Sequence, residues 1–141
     1  MVIEVNNEVD TKNFGFKLGT KLNGGEVVEL VGDIGAGKTT LVKGIAQGLG
    51  IDDNVQSPSF TVNRVYKARD GLRLAHYDFY RLKDAGIMAH ELAETIHDSK
   101  TVTVIEWANP VSHVLPTHRI SIKITITTET ARKLKVTGID L

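Results

Sequence analysis

Apolar and polar positions follow two rhythms along the chain. Val27-Val28-Glu29-Leu30-Val31, preceded by Glu26, is mostly apolar, the pattern of a buried strand. After Gly32–Gly37 the period changes: Leu41, Val42, Ile45, Ala46 and Leu49 recur at helical spacing, and Gly50 marks the helix end. Upstream, Asp10 is expected to cap a short helix through Leu18, with Phe14 and Leu18 one turn apart on one face and Gly19 as its stop. Asn23-Gly24-Gly25 predicts a turn. Phe60–Tyr66 and Leu72–Asp78 read as two strands joined at Arg69-Asp70-Gly71, a hairpin signal. Helix is expected over Lys83–His97. Val102-Thr103-Val104-Ile105 is β-branched and apolar, the mark of a central strand. Ile120, Ile122, Ile124 and Ile126 alternate with Ser121, Lys123, Thr125 and Thr127, which predicts a strand with one wet face, and Ala131–Val136 is expected to pair with it. Strand, helix, hairpin, helix, strand, hairpin argues for a mixed sheet with helices packed on it.

Composition narrows this to one domain. The chain has 141 residues, enough for one core without covalent staples. Cysteine is absent, so neither a disulfide framework nor a thiolate metal site is available, which fits a reducing compartment. The opening Met1–Glu8 lacks a basic segment followed by a long apolar one, so no signal peptide is expected. The apolar runs are too short to span a membrane. Seventeen basic residues balance seventeen acidic ones with no Lys/Arg tract, unlike a stand-alone nucleic-acid binder.

Gly32-Asp33-Ile34-Gly35-Ala36-Gly37-Lys38-Thr39 matches G-x-x-x-x-G-K-[ST]. Phosphates need several donors converging on a small volume. Glycines let the backbone curl so that successive N–H groups point inward, and the helix starting near Lys38 adds its positive end. Lys38 is then expected to reach the β- and γ-phosphates, and the Thr39 hydroxyl to sit on Mg²⁺. The match lies between a buried strand and an amphipathic helix, the context this chemistry requires. The fold expected is therefore α/β and P-loop NTPase-like: a mixed β-sheet flanked by helices, in three layers.

Acidic residues follow from the cradle. Glu106 ends the Val102–Ile105 strand, where a carboxylate can hold Mg²⁺ or its water. Asp78, in His76-Tyr77-Asp78-Phe79-Tyr80-Arg81-Leu82, is either a turn residue or a second carboxylate beside the metal. Trp107, the only tryptophan, is either partly buried packing or a ring that stacks on adenine or seals the site. His90, Glu94 and His97 share one helix face, but without a His-Glu-x-x-His pattern a solvated face is expected. No Asn-Lys-x-Asp segment is present; that motif resembles the one GTPases carry, and its lack leads to an expectation of adenine over guanine.

Several segments together resemble the TsaE (YjeE) family of P-loop ATPases in tRNA threonylcarbamoyladenosine biosynthesis. Gly32–Thr40 is similar to that family's cradle, Ser57-Pro58-Ser59-Phe60-Thr61 to its switch loop, His76–Leu82 to its second signature and Ile105-Glu106-Trp107 to its third. Leu115-Pro116 and the isoleucine strand resemble its ending, so the likeness covers nearly the whole chain. It implies a cytoplasmic protein that binds ATP with Mg²⁺ and joins TsaD and TsaB; the balanced charge adds the expectation that tRNA is met only indirectly. It implies that Lys38 and Thr39 hold phosphate and Mg²⁺, that Asp78 and Glu106 stand on the metal side, that Trp107 is the aromatic near the nucleotide, and that Ser57 and Ser59 belong to the switch. Asp84-Ala85-Gly86-Ile87-Met88 and Leu92-Ala93 depart from the family's usual Asp-Pro-Glu-Glu-Leu run and later Leu-Gly, away from the nucleotide site.

The catalytic set expected is Lys38, Asp78 and Glu106, with water attacking the γ-phosphoryl group. Phosphoryl transfer commonly uses an arginine; none is identifiable from the sequence as a finger in cis, and Arg81 is only a candidate. Slow hydrolysis alone, faster hydrolysis with partners, and a monomer when free are expected. A small-molecule kinase and a nucleotide-gated binding module without meaningful hydrolysis are the alternatives.

Overall fold

A computed structural model describes residues 1–52, 54–58, 62–82 and 86–141. The strands, in chain order, are β1 (Val2–Val5), β2 (Val27–Val31), β3 (Asn63–Lys67), β4 (Arg73–Asp78), β5 (Thr101–Glu106), β6 (Ile120–Ile126) and β7 (Arg132–Thr137). They form one sheet in the order β1-β7-β6-β2-β5-β4-β3. The middle four, β6-β2-β5-β4, are parallel; β3 and the β7–β1 pair add antiparallel margins. Every residue of β5 is buried, as a β-branched strand with neighbours on both sides and cover on both faces should be.

Among the described residues three α-helices flank the sheet: α1 (Glu8–Lys21), α2 (Lys38–Gly48) and α3 (Ile87–Ile96). Helices α1 and α2 bury Leu18, Leu41, Val42, Ile45 and Leu49 against Val28, Leu30, Val102, Val104 and Ile122. On the opposite face α3 and a 3-10 helix over Asn109–Val114 bury Leu92 and Val111 against Val27, Ala75, Tyr77 and Ile105. The result is the expected three-layer α/β arrangement. The second cover stops short of β6, β7 and β1, so Lys123, Lys133 and Lys135 project into solvent there.

The start and end of α1 differ from expectation. Asn7, not Asp10, is the N-cap: its side chain accepts from the Asp10 N–H at 2.9 Å, while the Asp10 carboxylate accepts from the Asn6 N–H at 3.0 Å. This reciprocal bracing fixes the first turn. Nor does Gly19 end the helix, which runs to Lys21. Gly15 and Gly19 of α1 face Gly44 and Gly48 of α2, and a Cβ on any of the four would collide with backbone of the other helix; at Gly15 it would lie 2.6 Å from the Leu41 carbonyl oxygen. Helix α2 ends as expected. Gly50 has φ +77°, its N–H donates to Gln47 O, and the Ile51 N–H donates to Ala46 O.

The hairpin appears as β3 and β4 with a turn at Arg69–Gly71, but Phe60 and Thr61 lie outside the described residues, as do Lys83–Ala85 of the expected helix. β1, which pairs with β7, is an element the sequence pattern did not announce. His90, Glu94 and His97 are all exposed, and no cluster of three metal-ligating side chains occurs among the described residues.

Candidate functional site

β2 delivers the chain to the cradle, and α2 carries it away. Between them Gly35 (φ +81°) and Gly37 (φ +108°) occupy the left-handed region, where a side chain would be strained. Nothing lies within 4 Å of where a Cβ on Gly35 would sit, so these glycines are needed for the backbone path and leave open space around it. Gly37 is the N-cap of α2; no side chain caps the helix and no acid occupies its first turn. Its positive end is therefore free to receive an anion.

Lys38, the first residue of α2, is only 7% exposed. Its ammonium group donates to the carbonyl oxygens of Gly32 and, at 3.0 Å, Asp33, and lies 4.3 Å from the centre of the Trp107 ring. Burial holds this lysine below its ordinary value, opposed by the nearby charges of Glu106, Asp78 and Asp33.

Parallel pairing of β4 with β5 sets Asp78 opposite Glu106 at the strand ends facing the cradle. Both carboxylates join Lys38, Thr39, Tyr80 and Trp107 around a cavity of about 390 Å³, together with Ile34, Gly35, Gly37 and Thr40. Asp78 accepts from the Tyr80 N–H at 3.0 Å and from the Ser57 hydroxyl at 3.2 Å. The expected switch residue Ser57 is thus tied to an acid of the site; Ser59 lies outside the described residues. Trp107 has φ +57° and meets the Tyr80 ring at 4.8 Å between centres, tilted by 53°. These contacts put it at the lysine end of the cavity.

The remaining cradle residues have other surroundings. Gly32 and Asp33 line a second cavity, of about 440 Å³, on the other side of Trp107, and Ala36 is buried. Three neighbours were not singled out from sequence. Arg132 of β7 donates to Ala36 O at 3.1 Å and Gly35 O at 3.3 Å, bracing the cradle from behind. Glu8, in the first turn of α1, stands on the cavity rim. His76 contacts Glu106 from inside the core at 2.6 Å. Arg132 and His76 are 96 and 30 residues from their partners, so no local pattern signals them. The donor set fits the expected ligand: a lysine, a free helix end, a hydroxyl and two carboxylates suit a polyphosphate with a hard cation that takes oxygen ligands and keeps some of its water.

Strand, glycine-bent loop and helix, with carboxylates arriving from the adjoining parallel strands, define an α/β protein of the P-loop type. A family model described as "Threonylcarbamoyl adenosine biosynthesis protein TsaE" matches residues 5–134. The chain belongs to the TsaE family. It is 38% identical over 127 residues to a tRNA threonylcarbamoyladenosine biosynthesis protein TsaE of Treponema pallidum, covering 90% of this chain and 93% of the relative. The corresponding protein of Bacillus subtilis is 40% identical over 116 residues, 82% of this chain and 71% of the relative. A crystal structure of Bacillus subtilis YdiB superposes with a TM-score of 0.76 at 33% identity, covering 95% of this chain and 82% of that one.

Proposed function

We propose that this protein is a Mg²⁺-dependent ATPase of tRNA threonylcarbamoyladenosine biosynthesis, slow alone and stimulated by a TsaD–TsaB synthase in the cytoplasm. The observation that carries the ATPase part is the convergence of Lys38, Thr39, Asp78 and Glu106 on one cavity at an uncapped helix end. Family membership carries the process. Lys38 exchanges its two loop carbonyls for phosphate oxygens, and the exposed N–H groups of α2 bind the same tail. Thr39, Asp78 and Glu106 are the residues that would hold Mg²⁺, which when bound neutralises phosphate charge. Glu106 orients the attacking water. Trp107 and Tyr80 close the lysine end against solvent. No arginine is among the described residues lining the cavity, which supports slow hydrolysis without a partner. The balanced charge of the chain supports an indirect relation to tRNA.

Two measurements test this. Calorimetry with ATP and Mg²⁺ should give saturable binding that Lys38→Ala weakens on the order of 100-fold, since the variant loses charge-assisted hydrogen bonds to phosphate. Reconstituted tRNA modification with TsaD and TsaB should require this protein and ATP and should accelerate ATP cleavage. Full modification in its absence would count against the assignment.

A further inference from the structure

Glu106 is 3% exposed, and the one hydrogen-bonding partner of its carboxylate among the described residues lies behind the cavity. His76 precedes Asp78 by two positions on β4, so both project to the same side as Glu106 across the parallel pair. Its imidazole is fully buried, with Nε2 2.6 Å from Glu106 Oε2 and Nδ1 without a partner among the described residues. A buried nitrogen left unpaired calls for an explanation. In the Nε2–H tautomer the ring donates to the carboxylate and Nδ1 is a bare acceptor. The opposite tautomer would set lone pairs against each other at 2.6 Å and strand an N–H donor in the core. The ring is therefore held inside at a desolvation cost, and the single polar contact it gains is to this acid.

That contact acts on orientation. A glutamate side chain has three rotatable bonds, and pinning one oxygen from behind restricts them while leaving the other oxygen to the cavity. His76 is absent from the cavity wall and does not itself reach a bound nucleotide. We infer that His76 is a positioning residue, holding the Glu106 carboxylate at the angle from which it orients the attacking water. The inference rests on the ATPase reading above.

The test compares wild type with His76→Leu, His76→Gln, Glu106→Gln and the His76→Leu/Glu106→Gln double variant. His76→Leu should keep its ATP dissociation constant within about threefold of wild type while single-turnover cleavage falls on the order of 10- to 100-fold, the signature of lost orientation. His76→Gln, whose amide donates from a comparable reach, should recover most of that loss. In the Glu106→Gln background His76→Leu should cost nothing further, because both changes remove the same function. Cleavage by His76→Leu at the wild-type rate would overturn the inference, as would a loss that simply multiplies that of Glu106→Gln. If the leucine variant does not fold, His76→Asn, whose shorter amide falls short of the Glu106 carboxylate, takes its place alone and paired with Glu106→Gln, with the same expected loss. Nitrogen-15 NMR of the ligand-free, histidine-labelled protein tests the contact without activity. It should show His76 protonated at Nε2 and bare at Nδ1, and protonation at Nδ1 alone would overturn the proposal. A wild-type protein that cleaves no ATP would sink the ATPase reading, while the ring spectrum would still decide the contact.

Discussion

The two faces of the sheet are covered in different ways. On one, α1 and α2 meet backbone to backbone through Gly15, Gly19, Gly44 and Gly48, above a floor of fully buried Leu18, Leu41, Val42, Ile45 and Leu49. On the other, α3 buries only Leu92 outright and is moored by polar contacts: Tyr77 Oη lies 2.9 Å from Thr95 Oγ1, and Glu91 accepts from Tyr77 at 3.2 Å and Asn63 at 2.8 Å. The cradle lysine sits on the first kind of helix. Glycine-locked helices cannot slide without breaking many contacts at once, whereas hydrogen-bonded moorings yield one at a time. The half that must present a fixed set of phosphate donors is thus the half built for rigidity.

That contrast is open to attack at both ends. Gly44→Ala puts a methyl group into the Lys12 carbonyl and should cost about 2 kcal/mol in urea denaturation, the range for forced overpacking, with ATP affinity falling alongside. A change under about 0.5 kcal/mol would mean that the helices separate freely and that the rigid half is not rigid. Glu91→Ala should cost about 1 kcal/mol, with faster amide exchange confined to α3 and β3. Exchange spreading into α2 would erase the distinction between the faces. The last effect is absent at neutral pH and appears only in alkali. Burial pushes the Tyr77 phenol from 10.0 up to about 12. The unfolded chain therefore loses this proton first, and the stabilisation, complete below pH 10, declines between about pH 10 and 12. Tyr77→Phe should flatten that part of the decline in denaturation curves taken across this window.

What could be read from the sequence was whatever is contiguous. The cradle is a single run of residues whose local conformation makes the site, and β5 declares itself by composition. The site's remaining chemistry depends on register. That Asp78 and Glu106 face one cavity follows from a parallel pairing between strands separated by α3, and the same pairing brings His76 onto Glu106; neither is visible in spacing along the chain. Arg132 reaches the cradle across the width of the sheet. Gly19 misled because glycine serves two purposes: it ends helices, and it lets helices touch. Only the partner helix distinguishes them, and Gly44 and Gly48 at the same four-residue interval were the available clue. The β1 strand was too short to show a period, and its place at the sheet edge comes from β7.

One consequence of the lysine–indole contact is practical. Trp107 is the sole tryptophan, and a positive charge sits 4.3 Å from the centre of its ring. Indole emission depends on the local electric field, so any anion that draws the ammonium away changes the colour or brightness of the light the protein emits. The molecule carries its own optical gauge of whether the cradle is filled, one that needs no label.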